Sequence, residues 1–192
     1  RLNLCRNKNH RNLIRRNERE GVRVEVGHQE ELLASFNDLH EMTARRHGFT
    51  RFSRDYIEKE YRCFATHGQA ICIAGYLPSG DLDSAGIFMM YGNMACYRHG
   101  SSAGADKRLP TSYTVLHRAI LEAKQRGIRW FNFWGIAPDG SSSNHPFFGI
   151  THFKKGFGGY KLDLLHCQDL PLSFRYRLTW GVETLRRIKR GF

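Results

Sequence analysis

The chain has 192 residues, 41% apolar and 25% charged, which is enough for one sizeable hydrophobic core or two very small ones and excludes a disordered or low-complexity polypeptide. Thirty Lys and Arg against 18 Asp and Glu leave a formal charge of +12, concentrated at the two ends. The longest uncharged apolar stretches, 70–77 and 85–91, are far too short for a transmembrane helix.

Residues 7–20 lack Gly and Pro and stop at Gly21, which predicts a helix. Its apolar pair, Leu13 and Ile14, sits among Arg11, Arg15, Arg16 and Arg19. Val22, Val24 and Val26 alternate with charged residues, the mark of a half-buried strand. Helices are predicted over 29–46, where Leu32, Leu33, Phe36 and Leu39 share a face, and over 54–65, with Tyr56, Ile57, Tyr61 and Phe64. Three strands follow at 69–77, 85–91 and 94–99, the last two joined by the hairpin signal Gly92-Asn93. Pro110 and Thr111 open a helix that Gly127 closes, and 128–134 reads as a buried aromatic strand. Residues 148–157 are ambiguous, 160–166 reads as a strand, and 173–189 as a basic closing helix. No linker or repeat divides the chain, so one domain over 1–192 is expected. Its fold class is α/β (α+β), and the central hairpins do not suit a doubly wound nucleotide fold.

The localised charge points to a polyanionic partner, nucleic acid foremost, with a solubilising surface or a basic face covered by another domain as the alternatives. Five cysteines (Cys5, Cys63, Cys72, Cys96, Cys167) form no CxxC pair and are expected to be reduced, mostly buried thiols of a cytoplasmic protein. Residue 1 is Arg rather than Met, which leaves a segment upstream open.

A literal G-x-S-x-G at 100–104 would make Ser102 a hydrolase nucleophile, but the helix that motif requires starts too late. The ten histidines include no HExxH and no Cys/His pairing at ligand spacing, so no metal is expected, although His145 and His152 could meet in space. Gly156, Gly158, Gly159 and Lys161 miss the Walker pattern, and Arg98, Gly100 and Gly104 make a poor pyrophosphate loop. Residues 147–159 interleave Phe147, Phe148, Phe153 and Phe157 with glycines and with Lys154 and Lys155. Such a run can stack a base and hold a phosphate or an oxyanion, or it can pack as an aromatic turn with solvated lysines.

Several segments together resemble the FemABX family of aminoacyl-tRNA-dependent peptidyltransferases. They are Asn9-His10-Arg11-Asn12-Leu13-Ile14-Arg15-Arg16 with Glu20-Gly21-Val22, Ala85-Gly86-Ile87-Phe88-Met89-Met90-Tyr91-Gly92-Asn93, and Tyr97-Arg98-His99-Gly100-Ser101-Ser102. Residues 116–127, Asn132-Phe133-Trp134-Gly135-Ile136 and Phe153-Lys154-Lys155-Gly156-Phe157-Gly158-Gly159 continue the series in family order. The resemblance implies a GNAT-like acyltransferase fold with a mixed, mostly antiparallel central sheet flanked by helices. It covers only the second of the two GNAT-like domains such proteins carry, so either an N-terminal domain is missing or the chain is a single-domain relative. Asn132 stands where the family often has an acidic residue, which excludes an acid/base role there, and Trp134 where a small residue is usual.

The implied reaction is attack by a free amine of a peptide acceptor on the aminoacyl ester of a charged tRNA, which serves as co-substrate with no further cofactor. The transferred residue would be Ala, Gly or Ser, with Ala favoured. The acceptor would be a peptidoglycan precursor or a peptidyl-nucleoside antibiotic intermediate, either one nucleotide- or carrier-linked. The family's Phe-Lys pair falls on Phe153, as pocket wall or stacking surface for the terminal adenosine, and Lys154, as oxyanion or phosphate ligand. Arg54 or Arg51 with Tyr56, and Tyr91, His99 and Ser101, would lie toward the acceptor. Arg11, Arg15, Arg16, Arg19 and Lys155 would meet the tRNA backbone, the arginine row serving otherwise as a domain-facing surface. No general base stands out. The competing readings are an acyl-CoA-dependent GNAT enzyme and a non-catalytic tRNA-binding module.

Overall fold

A computed structural model describes residues 7–165 and 168–190, in two compact units divided between Gly159 and Tyr160. In the first unit the elements run α1 (Lys8–Arg19), β1 (Arg23–Gly27), α2 (Glu30–His47), α3 (Arg54–Ala65), β2 (Ala70–Tyr76), β3 (Leu82–Tyr91), β4 (Met94–Ser102), α4 (Thr111–Gln125), β5 (Trp130–Asn132) and α5 (Phe148–Lys155). The strands form one sheet in sequence order, antiparallel throughout except for the parallel β4–β5 pair.

Strand β2 is buried along nearly its whole length, and its alternation divides the core. Ile71 and Ile73 face Ile14 of α1 and Val115, Leu116 and Ala119 of α4. Ala70, Cys72 and Ala74 face Leu32, Leu33 and Phe36 of α2 and Ile57 and Tyr61 of α3. A sheet covered on both sides explains why β2 and β3 read as continuous apolar runs rather than strict alternations. Helix α1 is held on α4 by one buried amide: the Asn17 side chain donates to the Pro110 carbonyl at 3.0 Å and to Thr114 Oγ1 at 2.8 Å. Asn7 caps the start of α1, its side chain accepting from the Asn9 amide at 2.8 Å.

Most elements lie where the sequence pattern predicts. Strands β3 and β4 run three residues further than expected at Leu82 and Ser102, because Leu82 and Ser84 pair with Tyr76 and Gly75 and Ser84 also pairs with Ser102. The ambiguous 148–157 run is helical over Phe148–Lys155 with Gly156 as its C-cap, and Gly158 and Gly159 follow at positive φ (95° and 92°). The strand expected at 160–166 is not formed over 160–165; His166 lies outside the described residues, as do Cys5 and Cys167. In the second unit the basic closing helix is present as α6 (Tyr176–Arg190). Among the described residues no helix is long and apolar enough to cross a membrane.

Candidate active site

The parallel ladder between β4 and β5 stops at the pair Cys96 and Asn132, although β4 continues to Ser102. From Tyr97 onward β5 no longer pairs with that flank of β4, and the chain leaves β5 through Phe133, Trp134 and Gly135. Side chains from both faces of the sheet converge on this notch.

From the α1–α4 face comes α5. Its Lys154 is buried, and its Nζ donates to the Gly135 carbonyl at 2.7 Å. Burial lowers the ammonium's pKa to about 8. The helix is bolted down at both ends. Near its start, Thr151 Oγ1 accepts from the Ala137 amide at 2.7 Å and donates to the Phe147 carbonyl at 2.6 Å. Near its end the Phe157 amide bonds to the Lys154 carbonyl, leaving the Phe153 carbonyl without its intrahelical i+4 partner. His10 of α1 supplies the bond: Nε2 lies 3.0 Å from that carbonyl and must be the protonated nitrogen, since a carbonyl only accepts. Burial lowers the His10 pKa, so the ring is neutral with its proton on Nε2 at neutral pH. Phe153, Phe157 and Tyr113 surround the ring with centroids 4.7–6.5 Å away.

From the α2–α3 face comes a polar cluster. The β3–β4 register pairs Ile87 with His99 but Phe88 with Tyr97, so Arg98 is the extra residue of a β-bulge. In a regular strand Arg98 and His99 would point to opposite faces. The bulge brings both to Glu60 of α3: Arg98 donates to Oε1 at 2.9 and 2.6 Å, and His99 Nε2 to Oε2 at 2.7 Å. Burial alone would raise the Glu60 pKa, but the hydrogen bonds from Arg98 and His99 bring it below the ordinary carboxylate value. Burial lowers the His99 pKa, with its Glu60 bond opposing. The Arg98 guanidinium lies 5.9 Å from the Phe52 ring centroid and 5.6 Å from that of Trp134.

The residues proposed from sequence divide between these clusters and the surface. Phe153 and Lys154 belong to the notch, Phe153 packed half-buried in the aromatic group rather than offered to a base. His99 is buried on Glu60, and Ser101 is buried with its hydroxyl toward the Ala85 carbonyl at 3.4 Å. Tyr91 stands 74% exposed at the hairpin end of β3, where the β4–β5 ladder begins rather than where it stops. Arg54 pairs with Asp38, while Arg51 donates to the Asn37 carbonyl at 2.9 Å. Arg15, Arg16 and Arg19 are exposed along α1 and Arg11 is half-buried; Arg19 pairs with Glu20 and Arg16 reaches the Arg108 carbonyl. Lys155 is exposed and pairs with Asp139 at 3.2 Å. Of the described cysteines Cys72 is buried, Cys96 half-buried and Cys63 exposed, the last a departure from the expected burial, and all three are free thiols.

Ser102 ends β4 nine residues before α4, with its carbonyl accepting from Thr43 Oγ1 at 3.1 Å, so no strand–turn–helix elbow forms. The start of α4 carries a carboxylate of its own. Asp83 is buried and accepts from Thr111 Oγ1 at 2.6 Å and from the Ala105 amide at 2.8 Å. A carboxylate beside the first turn of α4 opposes the binding of an anion there. Sequence reading missed Glu60, Arg98 as a site residue, and His10. The bulge is invisible to a period-2 pattern, and a single Glu in a charged helix or a His in a basic one carries no signal of its own.

A model of the FemAB family matches residues 4–77 and 82–165. No curated protein sequence matches the chain. Among solved structures, FemX superposes with a TM-score of 0.74 at 18% identity, over 83% of this chain and 55% of that one. L-PGS from Bacillus licheniformis gives 0.53 at 16% identity, over 78% of this chain and 51% of that one. A GNAT-family acetyltransferase from Staphylococcus aureus Mu50 gives 0.60 at 12%, over 80% of this chain and 92% of that one. The chain thus spans about half of FemX, and at these identities the likenesses establish the GNAT-like fold. With the family model covering most of the sequence, the chain belongs to the FemAB family.

Proposed function

We propose that this chain is an aminoacyl-tRNA-dependent transferase that moves a small amino acid, alanine favoured over glycine and serine, onto a free amine of a peptide acceptor. The acceptor is a peptidoglycan precursor or a peptidyl-nucleoside intermediate, and the reaction is cytoplasmic. The observation that carries the reading is Lys154, a buried ammonium aimed at the notch where the β4–β5 ladder stops. A new C–N bond forms as the acceptor amine attacks the ester carbon. The ester C–O bond then breaks, and the ribose hydroxyl of the tRNA leaves, taking up a proton. The ester is already activated, so alignment and charge stabilisation are the protein's main tasks. Lys154 serves by exchanging the Gly135 carbonyl for the developing oxyanion or for the terminal phosphate of the tRNA. Phe153 shapes the wall behind it, and His10 and Thr151 position the helix that carries both. Arg15, Arg16 and Arg19, with Lys155, follow the tRNA backbone; His99 and Arg54 lie toward the acceptor.

Asp83 of β3, which accepts from Thr111 at the first turn of α4, supports a donor other than coenzyme A, whose pyrophosphate would meet that carboxylate. The experiment uses radiolabelled alanyl-tRNA and a nucleotide-linked muramyl pentapeptide. The reading expects label on the peptide's free amine, and a loss of about 10²–10³ in rate for Lys154→Ala. Undiminished transfer by a folded Lys154→Ala variant would overturn the role of Lys154. Acetyl transfer from acetyl-CoA in place of alanyl transfer would overturn the substrate class.

A further inference from the structure

Trp134 is the one described non-glycine residue with positive φ, at 61°. A bulky side chain in the left-handed region is strained, and such residues persist where the surroundings hold them and concentrate at functional sites. Here two attachments hold it. Its backbone amide donates to Asn132 Oδ1 at 2.8 Å, and its ring lies beneath the Arg98 guanidinium, 5.6 Å from it. Asn132 belongs to the last pair of the β4–β5 ladder. Arg98 is the bulged residue of β4, clamped by Glu60. The indole is therefore stretched across the notch from β5 to β4. The next residue, Gly135, carries the carbonyl that receives Lys154. About half of the Trp134 surface stays exposed, so the ring is a wall presented to the notch and not a core residue.

Resting on the transferase reading above, we propose that Trp134, locked by Arg98 and Asn132, sets the size limit for the transferred aminoacyl side chain. A carbonyl held at the Lys154 ammonium places its α-carbon substituent toward the indole, one residue away along the chain. A methyl, hydroxymethyl or hydrogen is accommodated; a benzyl or branched group meets the ring. The Asn132 and Arg98 contacts hold the strained backbone that presents the indole to the notch.

The test measures binding of alanyl-tRNA and phenylalanyl-tRNA, each with a stable amide linkage, alongside uncharged tRNA, to wild type, Trp134→Ala and Trp134→Phe. Wild type should prefer the alanyl form. Trp134→Ala should lower the alanyl-over-phenylalanyl preference by about tenfold or more, through a gain for phenylalanyl, and Trp134→Phe should keep most of it. An unchanged ratio in a folded Trp134→Ala variant would overturn the proposal and leave the transferase reading standing. Wild-type binding that is equal for charged and uncharged tRNA would overturn both.

Discussion

The ammonium of Lys154 is the group whose behaviour is most constrained by its surroundings. Burial holds its pKa near 8, below the ordinary lysine value of 10.5. Between those values the unfolded chain binds more protons at this site than the folded one, so stability rises with pH across that window. Lys154→Met should remove that slope and leave the melting temperature at neutral pH unchanged or higher, measured by thermal unfolding from about pH 7 to pH 10. The cation that the proposed oxyanion role requires is lost over the same range. Affinity for the amide-linked alanyl-tRNA should therefore fall as pH passes about 8, and a flat profile across that range would contradict its role. His10 acts one step behind. His10→Phe fills the aromatic cage but offers no donor to the Phe153 carbonyl, whereas His10→Gln offers an amide N–H. A positioning role predicts that the phenylalanine variant shifts the Lys154 titration, followed by NMR of labelled lysine, and that the glutamine variant restores it. Identical titrations in both variants would reduce His10 to packing.

At the scale of elements, α5 and β4 carry the site through two local departures from regularity. Helix α5 sits against α1 so closely that a Cβ on Gly156 would lie 2.0 Å from the His10 ring, which is itself buried and cannot yield. Gly156→Ala should destabilise the fold by about 1–3 kcal/mol, read by chemical denaturation; a change near zero would mean that α1 and α5 separate easily. The bulge of β4 brings Arg98 and His99 together on Glu60. Glu60→Ala leaves a partly buried guanidinium unpaired and should cost about 1–3 kcal/mol, with release of the Trp134 ring from beneath it. These features mark the boundary of what the residue pattern reveals. Alternating valines announce β1, and the apolar faces of α2 and α4 announce those helices, because burial is written in periodicity. An inserted residue that re-aims two side chains is not, nor is a tryptophan in the left-handed region. The run at 148–157 is ambiguous in sequence because its aromatics serve two neighbours: Phe153 and Phe157 pack inward, while Phe147 and Phe148 stay exposed.

At the scale of the whole molecule, four histidines of the first unit (His10, His40, His99 and His117) have lowered pKa values, burial being the largest cause in each, with His40 brought to about 4. Each is neutral when folded and free to charge when unfolded, so stability is full above the ordinary value of 6.5 and declines as pH falls below it. Glu60 adds destabilisation in the same direction at still lower pH. Thermal stability should therefore begin to drop near about pH 6, and His40→Phe should flatten part of the decline. The basic ends of the chain, legible from composition, set a second global property. Replacing one α1 arginine that meets a phosphate should make the logarithmic salt dependence of tRNA binding shallower by about one unit of slope.

The proposed function requires the notch at Lys154 to receive the aminoacyl end of a charged tRNA. Calorimetric titration of the full chain with amide-linked alanyl-tRNA, uncharged tRNA and coenzyme A, at two salt concentrations, tests it most directly. Salt-sensitive binding that is tighter for the charged tRNA is the predicted result; binding to coenzyme A alone, or equal affinity for charged and uncharged tRNA, would contradict it.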